Sequence, residues 1–346
     1  MSLAAALPGA AQDRLLELIN AAWTTQAVAT ACELELPDRL AAGARTVQSL
    51  AHEAGVDADA LARLLRALVT LEVCDEVDGG SFALGPLGPL LQRSHEQGLR
   101  QWALLNGGPL WSRWGALVRK LRDGNPNRQG DGSVERFLRL DSDPQEAAIF
   151  HGAMAELSCR VGGSLAEALT LPQDSLVVDV GGGSGELLAS VLLRHPTARG
   201  ILMDLAHALA HAPRVLSRRG VDQRCQLLEG SFFDSVPPHG DLYLLKSVLH
   251  DWDDGPALLM LTRCREAMKP GARLIVVERL MPERVAATPQ DRALARSDLN
   301  MLVGLAGRER TQAQYRALFA QAGLAVRGEQ RLAAGFSAIE VSSATG

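Results

Sequence analysis

Residues 176–188 read LVVDVGGGSGELL, and their pattern decides the fold. A near-continuous apolar run up to a glycine cluster predicts a short strand covered on both faces, and the residues from Glu186 onward predict a helix. A strand that ends in a glycine turn and opens a helix is the place where an α/β sheet receives a nucleotide-like ligand. Gly181 and Gly183 let the backbone turn tightly and approach a ligand, and Gly185 permits close packing. The residue three positions after Gly183 is Glu186, so the spacing is GxGxG and not the GxGxxG of a pyrophosphate-binding turn. The next apolar run, RGILMDL, ends in Asp204, 23 residues after Gly181. That is near the spacing at which an acid accepts hydrogen bonds from ribose hydroxyls. Loop and acid together predict a site for an adenosine moiety.

Farther along, GDLYLLKSVL and ARLIVVERL are further apolar runs separated by helical stretches, so a parallel sheet with helices on both faces is expected from about residue 175. A helix over 311–322 and runs at 324–330 and 336–341 predict a closing helix and hairpin. Toward the other end the pattern is helical. One amphipathic helix covers 13–31, in a region that Pro37 ends; two shorter ones follow at 46–54 and 57–71, with Thr46 and Asp57 as N-caps and Gly55 between them. A hairpin over 73–84 turns at Asp78-Gly79-Gly80, completing a winged-helix order. Stretches 101–121 and 144–169 read as helices joined by a Gly-, Asn- and Asp-rich loop near 124–132.

The whole chain has 346 residues, 47% apolar and 22% charged, enough for two globular domains and no disordered or fibrous protein. A net charge of −5 gives no general attraction for a phosphate backbone. The five cysteines are odd in number and never form CxxC, which argues against a disulfide framework or structural zinc and fits a reducing compartment. No apolar stretch reaches the roughly 18 residues of a membrane span, and the first residues lack a basic n-region. A cytoplasmic protein with no membrane partner is expected.

The chemistry gathers at LKSVLHDW, 245–252, just past an apolar strand. His250 is the candidate base, because a neutral imidazole takes a phenolic proton when a carboxylate orients it. Glu278, at the end of the next strand, and Glu309, in GRERT, can reach the same crevice. The other histidines read as structural or solvated. His207 and His211 are four apart but lack the intervening acid of a helical zinc motif, so no metal is expected. Duplex binding by the winged helix is disfavoured, since its second helix carries only Arg63 and Arg66 as cations among leucines. The aromatics Trp102, Trp111, Trp114, Phe137 and Phe150 read equally as core or as a flat substrate pocket, with Met154 and Met301 as flexible lining.

Together these residues resemble the metal-independent, S-adenosylmethionine (SAM)-dependent small-molecule O-methyltransferases of the caffeic acid and acetylserotonin type, especially the bacterial enzymes that decorate antibiotics and phenazines. The likeness runs through 34–40, LARLLRALVTLEV (61–73), VVDVGGGSG, Asp204, GSFF (230–233), LKSVLHDW, Glu278, DLNML (298–302) and GRERT (307–311). It implies a winged-helix dimerisation domain over 1–100, a helical connector lining the substrate pocket over 101–170, and a Rossmann-like class I methyltransferase domain of α/β fold over 171–346. It also implies a homodimer, with SAM as cofactor and an aromatic small molecule as substrate. Gly181, Gly183, Asp204, Ser231, Phe232 and Lys246 would hold the cofactor. His250 would be the general base, framed by Glu278 and Glu309, and Met154, Ser158, Asn300 and Met301 would line the methyl donor or acceptor pocket. One departure is Ser231, where the family often has an acid; a hydroxyl can still bond adenine. N-methylation, a hydroxylase or decarboxylase that keeps the cofactor as a scaffold, and a ligand-sensing winged-helix regulator stay open as alternatives.

Overall fold

The computed structural model describes residues 8–122, 137, 140–305 and 307–344, so the expected loop near 124–132 lies outside the described residues. The chain forms two compact units, Met1–Trp111 and Ser112–Gly346.

In the first unit, a helix over Pro8–Glu33 extends beyond both expected ends. Pro37 does not stop a helix. Glu35 adopts a left-handed conformation (φ 56°) and starts a short helix, Leu36–Arg39, with Pro37 in its first turn, where a missing N–H costs nothing. Thr46 and Asp57 cap the helices Val47–Ala54 and Ala58–Thr70 by accepting the N–H groups of Ser49 and Ala60 at 3.3 and 2.8 Å. Strands β1 (Arg45–Thr46), β2 (Cys74–Val77) and β3 (Ser81–Leu84) form the wing in the order β1-β3-β2. Leu50, Leu61, Leu65, Leu68 and Phe82 fill the core beneath it, leaving Arg63 and Arg66 exposed. On the first helix, Leu15, Ile19 and Trp23 lie on one face and are 57%, 62% and 70% exposed.

The expected helical stretch over 101–121 is divided into three short helices, Arg100–Gly107, Pro109–Trp114 and Leu117–Arg122. Gly107-Gly108-Pro109 and Gly115 interrupt the apolar periodicity, and proline cannot continue a helix interior.

The second unit begins its described core with the long helix Pro144–Ala168, capped by Asp143, and is built on a seven-stranded sheet. Its strands are β4 (Leu176–Val180), β5 (Arg199–Asp204), β6 (Cys225–Glu229), β7 (Leu242–Lys246), β8 (Arg273–Glu278), β9 (Leu324–Arg331) and β10 (Ser337–Ser343). Their spatial order is β6-β5-β4-β7-β8-β10-β9, with β10 antiparallel to both β8 and β9 and the other pairs parallel. Alternate residues of the central strands enter two separate cores. Val177, Leu202, Leu244 and Ile275 pack with Leu165 and Leu188, whereas Val178, Val180, Leu245 and Val276 pack with Met260, Leu261 and Phe319. Burial on both faces is why these strands read as unbroken apolar runs. The order reverses between β5 and β7, on either side of β4, which puts the glycine turn at the switch point of the sheet, where such folds bind ligands. No helix among the described residues is long and apolar enough to cross a membrane, and all five cysteines are free.

Candidate active site

After Val180 the chain turns through Gly181, Gly183 and Gly185, all at positive φ (69°, 58° and 81°), before the helix Glu186–Arg194 begins. A Cβ on Gly183 would meet nothing within 4 Å, so bare backbone faces open space there. Asp204, at the end of β5, accepts the Gly183 N–H at 2.8 Å and the Leu205 N–H at 2.7 Å. Burial raises the Asp204 pKa, although those two N–H groups pull it down. Asp179, buried at the end of β4, is pushed to about 7 by burial and by the charge of Asp204, and its Oδ2 has no hydrogen-bond partner.

These groups border a cavity of about 240 Å³. Phe150, Met154 and Ser158 reach it from the helix Pro144–Ala168, Ser231 and Phe232 from the loop after β6, and Lys246 from the end of β7. Lys246 Nζ lies 3.2 Å from Ser158 Oγ, and burial lowers its pKa to about 8 against the opposing pull of Glu278. Ser231 Oγ accepts the Phe233 N–H at 3.2 Å, leaving its proton to donate.

Beyond β7, Ser247 takes a left-handed conformation (φ 53°), strain on the order of 1 kcal/mol that swings the following turn across the strand end. Ser247, Val248, Asp251 and Trp252 line the cavity; His250 does not, and stands with its Nε2 3.4 Å from Asp251 Oδ1. Its Nδ1 faces Glu309 Oε1 at 3.2 Å and Glu278 Oε2 at 3.5 Å, and its backbone N–H donates to Glu278 Oε1 at 3.3 Å. Both glutamate side chains are fully buried. Burial alone would lower the His250 pKa, but Glu278, Glu309 and Asp251 outweigh it and raise it to about 10. Burial raises Glu278 to about 7 despite the opposing imidazolium. Burial pushes Glu309 the same way, but His250, Ser297 and Arg279 overcome that and hold it below the usual range.

Ser297, on the helix Pro289–Gly304, donates to Glu309 Oε1 at 2.6 Å, and Asp298 Oδ1 accepts the Glu309 N–H at 2.9 Å. Asn300 and Met301 follow on that helix; Asn300 Oδ1 accepts the Trp114 indole N–H at 3.2 Å, and Met301 is buried. Neither borders the cavity. Trp111 belongs to the first unit and is exposed.

Two histidines read as structural or solvated are placed otherwise. His151 and His207 both line the cavity and meet each other, Nε2 to Nδ1 at 2.7 Å with rings stacked. Asp179, Asp251 and Trp252 were also missed, although each lies within a motif that was singled out, VDVGGG or LHDW; nothing in the sequence marks His151, and the spacing of His207 from His211 pointed only to a metal motif.

The cavity fits SAM. Bare backbone at Gly183 admits a bulky nucleoside, the buried Asp179 and the half-buried Asp204 favour a positively charged ligand, and the cation at Lys246 offers a partner for a carboxylate. The donor atoms of His250, Glu278 and Glu309 lie within 4.8 Å of one another, and they are already joined as a ring held by two acids.

Comparison with known proteins agrees. Residues 111–325 match the O-methyltransferase domain model and residues 16–94 the O-methyltransferase dimerisation domain model. A phenazine O-methyltransferase of Lysobacter antibioticus is 32% identical over 94% of both chains. The crystal structure of LaPhzM superposes with a TM-score of 0.89 at 31% identity, covering 96% of this chain and 99% of that one. NcsB1, an O-methyltransferase from neocarzinostatin biosynthesis solved with SAM and 2-hydroxy-5-methyl naphthoic acid, gives a TM-score of 0.75 at 35% identity over 92% and 96% of the two chains. Relatives at 34% identity also include an 8-amino-8-demethylriboflavin N,N-dimethyltransferase of Streptomyces davaonensis, matched over 86% of this chain and 85% of its own length, and an aclacinomycin 10-hydroxylase of Streptomyces purpurascens, over 92% and 86%. The chain belongs to the SAM-dependent O-methyltransferases, a family that uses no metal.

Proposed function

We propose that the protein methylates a phenolic hydroxyl of an aromatic secondary metabolite, with His250 as general base. The observation that carries this reading is the imidazole fixed at Nδ1 by Glu309 and Glu278 on the loop that walls the cavity.

SAM supplies an electrophilic methyl group on a sulfonium sulfur. Asp204 would accept from its ribose hydroxyls, Phe232 would pack beside its adenine, and Ser231 would offer the adenine its proton. Lys246 and Ser158 meet the amino-acid end, and Asp179 offsets positive charge. With Nδ1–H donated to Glu309, the neutral His250 ring presents the Nε2 lone pair to the acceptor hydroxyl. A phenol and an imidazolium both titrating near 10 exchange the proton at little cost, and Asp251 beside Nε2 stabilises the ring once charged. Alignment of the hydroxyl with the donor carbon supplies most of the acceleration, roughly 7–11 kcal/mol, and base catalysis about 10²–10⁴-fold more. The acceptor lies on the side of the helix Pro144–Ala168 and of Asn300 and Met301. Two copies associate through the 1–100 segment, and five free thiols suit a reducing, cytoplasmic setting.

Methyl-labelled SAM with a panel of phenols, anilines and hydroxylated polycycles tests the assignment by mass spectrometry. Label carried on a phenolic oxygen is expected. Label on nitrogen, or oxygen gained without label, turns the assignment toward the N-methylating or hydroxylating alternative.

A further inference from the structure

Arg310 has no part in the roles above, yet it is fully buried, with 0% of its surface exposed. Its Nη1 donates to the Leu249 carbonyl at 2.9 Å and its Nη2 to the Trp252 carbonyl at 2.8 Å, so one guanidinium grips both flanks of His250. Nε and Nη2 also reach Asp254 Oδ1 at 3.0 and 2.7 Å. The residues before it hold the same turn. The Arg308 N–H donates to the His250 carbonyl at 2.9 Å, and the Arg308 side chain pairs with Asp253. A Cβ on Gly307 would come within 1.8 Å of the His250 carbonyl oxygen, so only glycine lets the two segments approach this closely. Glu309, between these two arginines, is the acid on His250 Nδ1. Burying a guanidinium costs several kcal/mol unless its donors are satisfied, and a planar fork satisfies them only if the carbonyls sit at fixed places.

We propose that Arg310 is a positioning residue for methyl transfer, clamping the 249–252 turn so that the His250 ring stays in register with Glu309 and Glu278. This rests on the reading of His250 as the base. The groups facing that ring are Glu278, Glu309 and Asp251, and the Arg279 guanidinium interacts with both glutamates. Arg310→Lys keeps the charge but loses the fork, so the field on the ring is held while its geometry is released. Asp254→Glu moves the guanidinium's anchor by one methylene at constant charge.

The test follows the His250 imidazole by NMR titration in wild type, Arg310→Lys and Asp254→Glu, with His250→Asn identifying the signal. Calorimetry with S-adenosylhomocysteine (SAH) checks each folded variant. In both variants the His250 midpoint is expected to drop by about one pH unit or more as the ring slackens from its acids. Turnover is expected to fall about 100-fold, and SAH affinity to stay within about twofold. Midpoints equal to wild type in whichever variants fold, or turnover lost only in step with SAH affinity, overturn the proposal. Wild type that neither binds SAH nor transfers methyl defeats the functional reading instead, while the titration still judges the clamp without cofactor or acceptor.

Discussion

His250, the base we propose, has surroundings that keep it charged. Its folded pKa is raised to about 10, above the ordinary histidine value, so the neutral, working form is scarce at neutral pH and grows as pH rises. Turnover at saturating acceptor should therefore climb by up to about tenfold per pH unit through neutrality and level off only on the alkaline side. A profile flat from about pH 6 to 9 shows that no proton leaves through this ring. His250→Ala should bind SAH as wild type does and lose about 10²–10⁴-fold in single-turnover rate; equal rates remove His250 from the base role. Asp204→Ala should weaken SAH about tenfold or more in calorimetry, since ribose hydroxyls would lose a buried acceptor. At this scale the sequence showed the groups at strand ends, because strand ends announce themselves. It hid His151, His207 and Arg310, whose importance lies in contacts with residues far along the chain.

Among the elements, the glycine turn holds the end of β5 and the 307–311 segment holds the 249–252 turn. Gly183→Ala meets no steric barrier but places a side chain at φ 58°, which should destabilise the fold by about 1–2 kcal/mol and crowd the ligand. A lower melting temperature with weaker SAH binding is expected; unchanged SAH affinity would separate this turn from the cofactor. The central strands were legible because both faces are covered, and the caps at Thr46 and Asp57 because their side chains act within three residues. β6 escaped notice. It is an edge strand whose Cys225-Gln226-Leu227-Leu228-Glu229 sequence is partly exposed, so it lacks the unbroken apolar signature. The break in the helix over 101–121 was visible as Gly107-Gly108-Pro109, but the apolar spacing on either side masked it.

At the level of the molecule, the uncovered stripe of Leu15, Ile19 and Trp23 predicts association of two copies. The double substitution Ile19→Glu, Trp23→Glu should convert a dimer to a monomer in light scattering; a variant that stays dimeric places the interface elsewhere. We propose that the cavity bordered by the glycine turn and Asp204 holds the nucleoside while His250 faces its reactive end. A crystal structure of the SAH complex tests it most directly. It should show ribose hydroxyls on the Asp204 carboxylate and the sulfur directed toward the His250 side of the cavity. SAH seated away from Asp204, or with its sulfur on the side opposite His250, contradicts the account.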